Sequence, residues 1–169
     1  MFDVGDAVVH PTCGTGVVVG FTEYQLDGST MKYYDIELIC ESSSNLMIPV
    51  VRAKEIGLRP VVSEARLKKV WRTLRSSPDP LPDDHKVRYC ELGEKLDKGV
   101  ILRVAEVVRD LAGRWQERNK LTAKEKRFYE RAKTLLAAEI AAVQSTEIEE
   151  AQTQIKTLLQ ENQSFQMAT

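Results

Sequence analysis

The chain is poor in the side chains that metal and redox chemistry need. Among 169 residues it has three cysteines, Cys13, Cys40 and Cys90, an odd number with no C-x-x-C pair. That argues against a disulfide framework or a zinc ribbon and fits a reducing, cytoplasmic compartment. The two histidines, His10 and His85, lie far apart. His10 with Cys13 offers two zinc ligands at most, so turn and strand roles are the better reading and neither metal nor cofactor is expected. No apolar run approaches the ~18 residues of a membrane span. Met1-Phe2-Asp3-Val4 has neither the basic nor the apolar region of a signal peptide. A Gly-rich phosphate loop, H-E-x-x-H and G-x-S-x-G are all missing. Gly14-Thr15-Gly16 sits between strands, the wrong context for a dinucleotide site. With 25 acidic residues and no pair singled out, a binding protein is a better reading than an enzyme.

What is present divides the chain in two. Up to Pro60, short β-branched runs are broken by Gly and Pro. Residues 4–9, 16–22, 31–39, 46–50 and 56–60 read as strands. Leu26-Asp27-Gly28-Ser29 is the hairpin turn, Asp-Gly being the strongest short signal for one. Ser42 to Asn45 reads as another turn. Pro49 lacks a donor N–H, which puts the fourth strand at a sheet edge. Five short strands in sixty residues predict a small SH3- or Tudor-like β-barrel.

Past Pro60 the apolar spacing turns helical. Ser63 caps a helix carrying Leu67, Val70, Trp71 and Leu74. Ser77-Pro78-Asp79-Pro80-Leu81-Pro82 is a stiff linker. Asp83 or Asp84 caps a helix over 84–98. A third covers 100–118, with Trp115 on its apolar face. Thr122 and Glu125 form a capping box for a fourth, through about Val143. Thr146 and Glu149 suggest another box before a last amphipathic stretch, fraying from about Asn162. The expected class is α+β in two domains: barrel 1–60, all-α domain 61–145, then a C-terminal amphipathic helix and tail, 146–169. Spacing leaves open whether that last helix docks on its own chain or on a second copy.

The net charge of -1 hides an asymmetry. Residues 1–60 carry 4 basic and 8 acidic side chains, and residues 134–169 carry 1 and 5, each a net of -4. Residues 61–133 carry 19 and 12, a net of +7. An anionic partner, nucleic acid above all, belongs on that middle block.

The opening run F-x-V-G-D-x-V-V-H-P-x-x-G-x-G-V resembles the start of the CarD/CdnL family of bacterial transcription regulators. The module is also similar to the polymerase-interacting domain of the transcription-repair coupling factor. Leu46 to Val50 with Ile56-Gly57-Leu58-Arg59 continues the match. In the helical half Arg88-Tyr89, Glu94-Lys95-Leu96, Val104 to Leu111, Gln116-Glu117-Arg118 and Glu125-Lys126-Arg127 follow in order.

The resemblance implies a non-enzymatic protein with two partners. The barrel's edge strand would add to a strand of the RNA polymerase β subunit, through Leu46, Met47, Ile48 and Pro49, with Gln25 nearby. Alternation turns Met47 away from Leu46 and Ile48, making it the better contact. The helical domain would touch promoter DNA at the upstream edge of the melted region and stabilise the open complex. His85, Lys86, Arg88, Lys126 and Arg127 match or neighbour the DNA-facing positions, and Lys124 and Arg131 extend the patch. Relatives commonly carry Trp where this chain has His85, a weaker wedge between bases. Tyr89 reads as core sooner than as a second aromatic at the DNA. The alternative is an interaction module on polymerase with little direct DNA role. Promoters, direction of regulation and oligomeric state are not legible.

Overall fold

The computed structural model describes residues 1–40 and 44–167. Five antiparallel strands come first: β1 (Ala7–His10), β2 (Gly14–Leu26), β3 (Ser29–Leu38), β4 (Asn45–Pro49) and β5 (Arg59–Pro60). They stand in the order β4-β3-β2-β1-β5, so β4 lies at one edge. The β2–β3 turn is the two-residue hairpin that Asp-Gly favours. Leu26 pairs with Ser29, and Asp27 (φ 51°) and Gly28 (φ 79°) are both left-handed, matching the twist of the strands. A bulge between Val18 and Gly20 pushes Val19 out of register and into solvent, bending the strand over the core. Val8, Val18, Tyr34, Ile36, Ile48 and Leu58 fill that core, with Phe2 and Phe21 packed on Tyr34.

Every strand boundary except the end at Pro60 differs from expectation, with β2 running on to Leu26, and two of the shifts have a local cause. The first strand begins at Ala7, because Gly5 (φ 97°) is in a turn and donates its N–H to Val18 O at 2.8 Å. The fifth is only Arg59–Pro60. Before it a 3-10 turn (Val50–Arg52) runs into the one-turn helix α1 (Ala53–Ile56), which left-handed Gly57 ends. The expected turn at Ser42–Asn45 lies partly outside the described residues.

Five longer helices follow: α2 (Glu64–Arg75), α3 (His85–Asp97), α4 (Ile101–Arg118), α5 (Ala123–Gln144) and α6 (Ile148–Met167). Ser63 and Asp84 cap α2 and α3, and Thr122 with Glu125 makes the capping box of α5. The box expected from Thr146 and Glu149 does not form. Left-handed Ser145 closes α5, and Thr146 N–H turns back to Ala141 O at 3.0 Å. That buries Thr146 Oγ1 without a partner and moves the start of α6 one residue on. Nor does the chain fray from Asn162. The helix continues, and Asn162 Nδ2 donates to Leu74 O, an end carbonyl of α2, at 2.9 Å. Ala151, Ile155, Leu158 and Leu159 join the same apolar cluster as α2, α4 and α5, so α6 docks on its own chain. Trp115, expected in the core, is 46 % exposed. It lines an open cleft of about 1020 Å³ that α6 leaves beside α4 and α5. Among the described residues no helix is long and apolar enough to cross a membrane.

Sheet and helices meet at a polar joint. Arg59 of β5 grips Glu139 of α5 with both terminal nitrogens, at 2.7 and 2.9 Å, and gives a further bond to Gly99 O at 2.7 Å. Val62 N–H adds 3.1 Å to Glu139 Oε1. Gly99 is left-handed (φ 61°), and a Cβ there would stand 2.7 Å from Pro11 Cα. Only glycine lets the β1–β2 turn sit so close.

Candidate functional site

The outer edge of β4 is the first candidate. Among the described residues β4 pairs only with β3, with Met47 opposite Asp35 and Ile48 opposite Tyr34, so its other side offers unpaired backbone donors and acceptors. Its side chains alternate as expected. Met47 is 39 % exposed, Ile48 is 5 % exposed in the core, and Leu46 and Pro49 are half-buried. Ile48, expected at the interface, is therefore a core residue, since the strand's pleat turns it inward. Gln25 is exposed, but it pairs with Thr30 near the hairpin tip, three positions past the last β3 residue that β4 covers. By register it also lies on the other face from Met47. What does join Met47 is Tyr24, its hydroxyl 4.0 Å from Met47 Sδ, with Tyr33 edge-on to Tyr24 at 5.5 Å. Alternation along 20–24 and 31–35 could have found both tyrosines, because they share Met47's face.

The second candidate is the start of α3 against the start of α5. Asp84 accepts from Lys86 N at 2.9 Å and Val87 N at 3.0 Å, which sets His85 on the exposed tip of α3. The Val87 N–H, which outweighs an opposing desolvation and is helped by the Lys86 N–H and the charges of His85 and Arg88, holds the Asp84 carboxyl below its ordinary value. His85 stands edge-on to Tyr89 at 5.9 Å, and Tyr89 meets Phe128 of α5 at 6.2 Å. Lys124 Nζ lies over Tyr89 at 4.8 Å and near Phe128 at 6.0 Å. The three rings form a shelf. Tyr89 is half-buried, bonded to Thr122 Oγ1 at 2.9 Å, so it is both packed and presented. Lys86, Lys124, Lys126 and Arg127 are exposed. At 100° per residue, Lys124, Arg127, Phe128 and Arg131 share one side of α5, and Lys126 lies about 200° around from Lys124. The shelf therefore gathers His85, Lys124, Arg127 and Arg131 and leaves Lys126 on another side. Arg131 is tied to Asp97 at 3.2 Å across the surface, a pairing weak enough for an anion to replace.

Arg88 is not part of this surface. It is 3 % exposed. Its Nε donates to Glu125 Oε1 at 2.7 Å, and its Nη1 donates to Pro82 O and Asp83 O at 2.6 and 2.9 Å. Arg114 Nε reaches the same Glu125 oxygen at 3.0 Å, while Glu125 Oε2 accepts from Thr122 N at 2.8 Å. Burial pushes the Glu125 carboxyl up, but the Thr122 N–H and the charges of Arg114 and Arg88 outweigh it and hold the pKa below the ordinary value. A sequence reading that treats every Arg of a basic block as surface charge places Arg88 wrongly. The carboxylate that draws it inward is 37 residues away.

A second buried set includes other matched residues. Arg109 bonds Asp110 at 2.7 Å, Asp79 at 2.6 Å and Ser76 Oγ at 2.9 Å, pinning the proline linker to α4. Burial opposes the charge of Arg109, yet Asp110 and Asp79 hold its pKa above the ordinary value. Among the described residues no group of three or more His, Cys, Asp and Glu is placed to hold a metal ion. His10 Nδ1 is taken by the N–H groups of Thr12 and Cys13, at 3.3 and 3.2 Å, and burial lowers its pKa. Its geometry is that of a turn residue.

Comparison with known proteins gives each half a relative. Residues 2–62 match the CarD-like/TRCF RID domain, and residues 69–156 match the CarD C-terminal domain. A Bacillus subtilis (strain 168) protein named "Putative transcription factor YdeB" is 29 % identical over 143 residues, which cover 85 % of this chain and 92 % of that one. A β-sheet module with a free edge, followed by a helical module with a basic aromatic shelf, each matched in order, places the chain in the CarD family of transcription regulators, with a polymerase-interacting domain at its N-terminus.

Proposed function

We propose that this protein holds the RNA polymerase β subunit by the β4 edge and promoter DNA by the shelf at His85, and so lengthens the life of the open complex. The observation that carries the reading is the free edge of β4 beside exposed Met47 and Tyr24, with Tyr33 half-buried next to them. Strand addition there takes affinity from main-chain hydrogen bonds and selectivity from the side chains that alternate outward. On the helical domain, free cations neutralise phosphates and rings accept an unstacked base. The Arg59–Glu139 joint supports one fixed spacing between the two partners. Nothing in the arrangement asks for catalysis. The test is binding to a polymerase β fragment. Met47→Asp sets a charge beside the incoming strand, and an affinity loss of tenfold or more is expected. Equal affinity for variants across residues 45–49 would remove the edge-strand contact. The rival reading, a polymerase module with no direct DNA role, draws on His85 standing where relatives carry Trp and on Arg88 being buried.

A further inference from the structure

The outward face of α2 carries charge that no ion pair answers among the described residues. Leu67, Val70 and Leu74 face the core. At 100° per residue, Lys68, Lys69 and Arg72 then centre on the opposite side, with Arg66 and Arg75 on the flanks. All five are exposed, and Glu64 is the helix's only acid. Among the described residues none of the five has a carboxylate within 4 Å, whereas eight of the fourteen later cations up to Lys133 do. Glu150 and Glu161 of α6 share a groove with Arg75 and Trp71, so Arg75 lies on a mixed side and the uniform part is Lys68-Lys69-Arg72. The helix dipole favours cations in the last turn, which accounts for Arg72 and Arg75 but not for Lys68, Lys69 or Arg66. Like charges three and four residues apart repel, and Glu64, one turn before Lys68, is the single acid of the helix set against them.

We propose that this face is a second contact for the phosphate backbone of duplex DNA, apart from the shelf at His85. It rests on the reading of the helical domain as a DNA-binding unit, but not on any contact made by His85. α2 and α3 pack on α4 without a substantial contact between them. Two separate basic faces let one domain hold paired DNA beyond the point where a melted end is held. The three cations span about 6 Å along the helix axis, close enough to lie on one run of backbone, where each strand offers a phosphate per ~3.4 Å of duplex axis.

The experiment measures binding of the full chain to a blunt, fully paired duplex between 50 and 200 mM salt, for wild type and for K68A/K69A/R72A. Alanine favours the helix, and circular dichroism confirms folding. Loss of three phosphate contacts lowers the slope of log K against log salt by about 2.7, so roughly 40-fold of salt sensitivity disappears over that range. An unchanged slope, with K124A/R127A lowering it, makes the α2 face plain solvated charge and overturns the proposal while the DNA reading stands. Wild-type binding with no salt dependence, equal in both variants, removes the DNA reading and this proposal together. Unchanged duplex binding with weakened affinity for polymerase free of DNA gives the face to an acidic protein surface, which also overturns it.

Discussion

Arg88 offers the sharpest test of the helical domain, because its position in the sequence and its position in space point to different jobs. A phosphate-binding arginine on a solvated surface can be replaced at a stability change within about 0.5 kcal/mol. Arg88 instead forms one side of a buried node in which Glu125 is 1 % exposed. Removing one partner of a buried ion pair costs about 3–5 kcal/mol, since the other charge is left in a poor solvent. In Arg88→Ala, Glu125 keeps Arg114 and the Thr122 N–H, so the loss falls near the low end, about 3 kcal/mol. Glu125→Gln leaves two guanidinium groups without their counter-charge and weakens the cap of α5. Its loss falls near the high end, about 5 kcal/mol. At roughly 2–4 °C per kcal/mol for a chain of this size, the Tm falls by about 6–12 °C for Arg88→Ala and by more for Glu125→Gln. The double variant costs less than the sum, because both changes break one network. Thermal melts followed by circular dichroism read all three. A loss under about 1 kcal/mol in both single variants, with weakened DNA binding in Arg88→Ala, would refute the buried-node account and return Arg88 to the DNA surface.

Other outcomes follow from the same geometry. His85→Ala shortens the half-life of a promoter open complex without moving the melting temperature, and His85→Trp lengthens it; equal half-lives in all three would leave the shelf without a role. Glu139→Ala strands Arg59 at the joint and lowers stability by about 3 kcal/mol, while binding of the β fragment stays as in wild type; weaker fragment binding would mean the sheet domain depends on the helices for its shape. Acid should destabilise the helical domain. The Glu125 carboxyl is lower in the folded chain than in the unfolded one, so its stabilisation is complete above the unfolded value of about 4.3 and is lost as pH falls through the folded value. Urea melts at stepped pH should show this dependence shrink in Glu125→Gln; an unchanged pH profile would place the acid sensitivity elsewhere.

Several features of this protein were legible in its residues because they are local. The Asp27-Gly28 turn, the Ser63, Asp84 and Thr122 caps, the edge position of β4 and the outward Met47 each depend on a few neighbours in the chain, and alternation or capping chemistry reports them directly. The change from strand to helix near Pro60, and the excess of positive charge beyond it, are equally local. Tertiary structure decided the rest, because it turns on what a side chain meets from far along the chain. Arg88 and Arg127 look alike in sequence. One is drawn inward by Glu125 and the other stays free. Arg59 finds Glu139 across 80 residues, and that meeting fixes the sheet to the helices. The sequence determined the two modules and the charge each carries. The fold alone determined which charges are spent inside and which remain for a partner, since burial makes an unanswered charge too costly to leave in place.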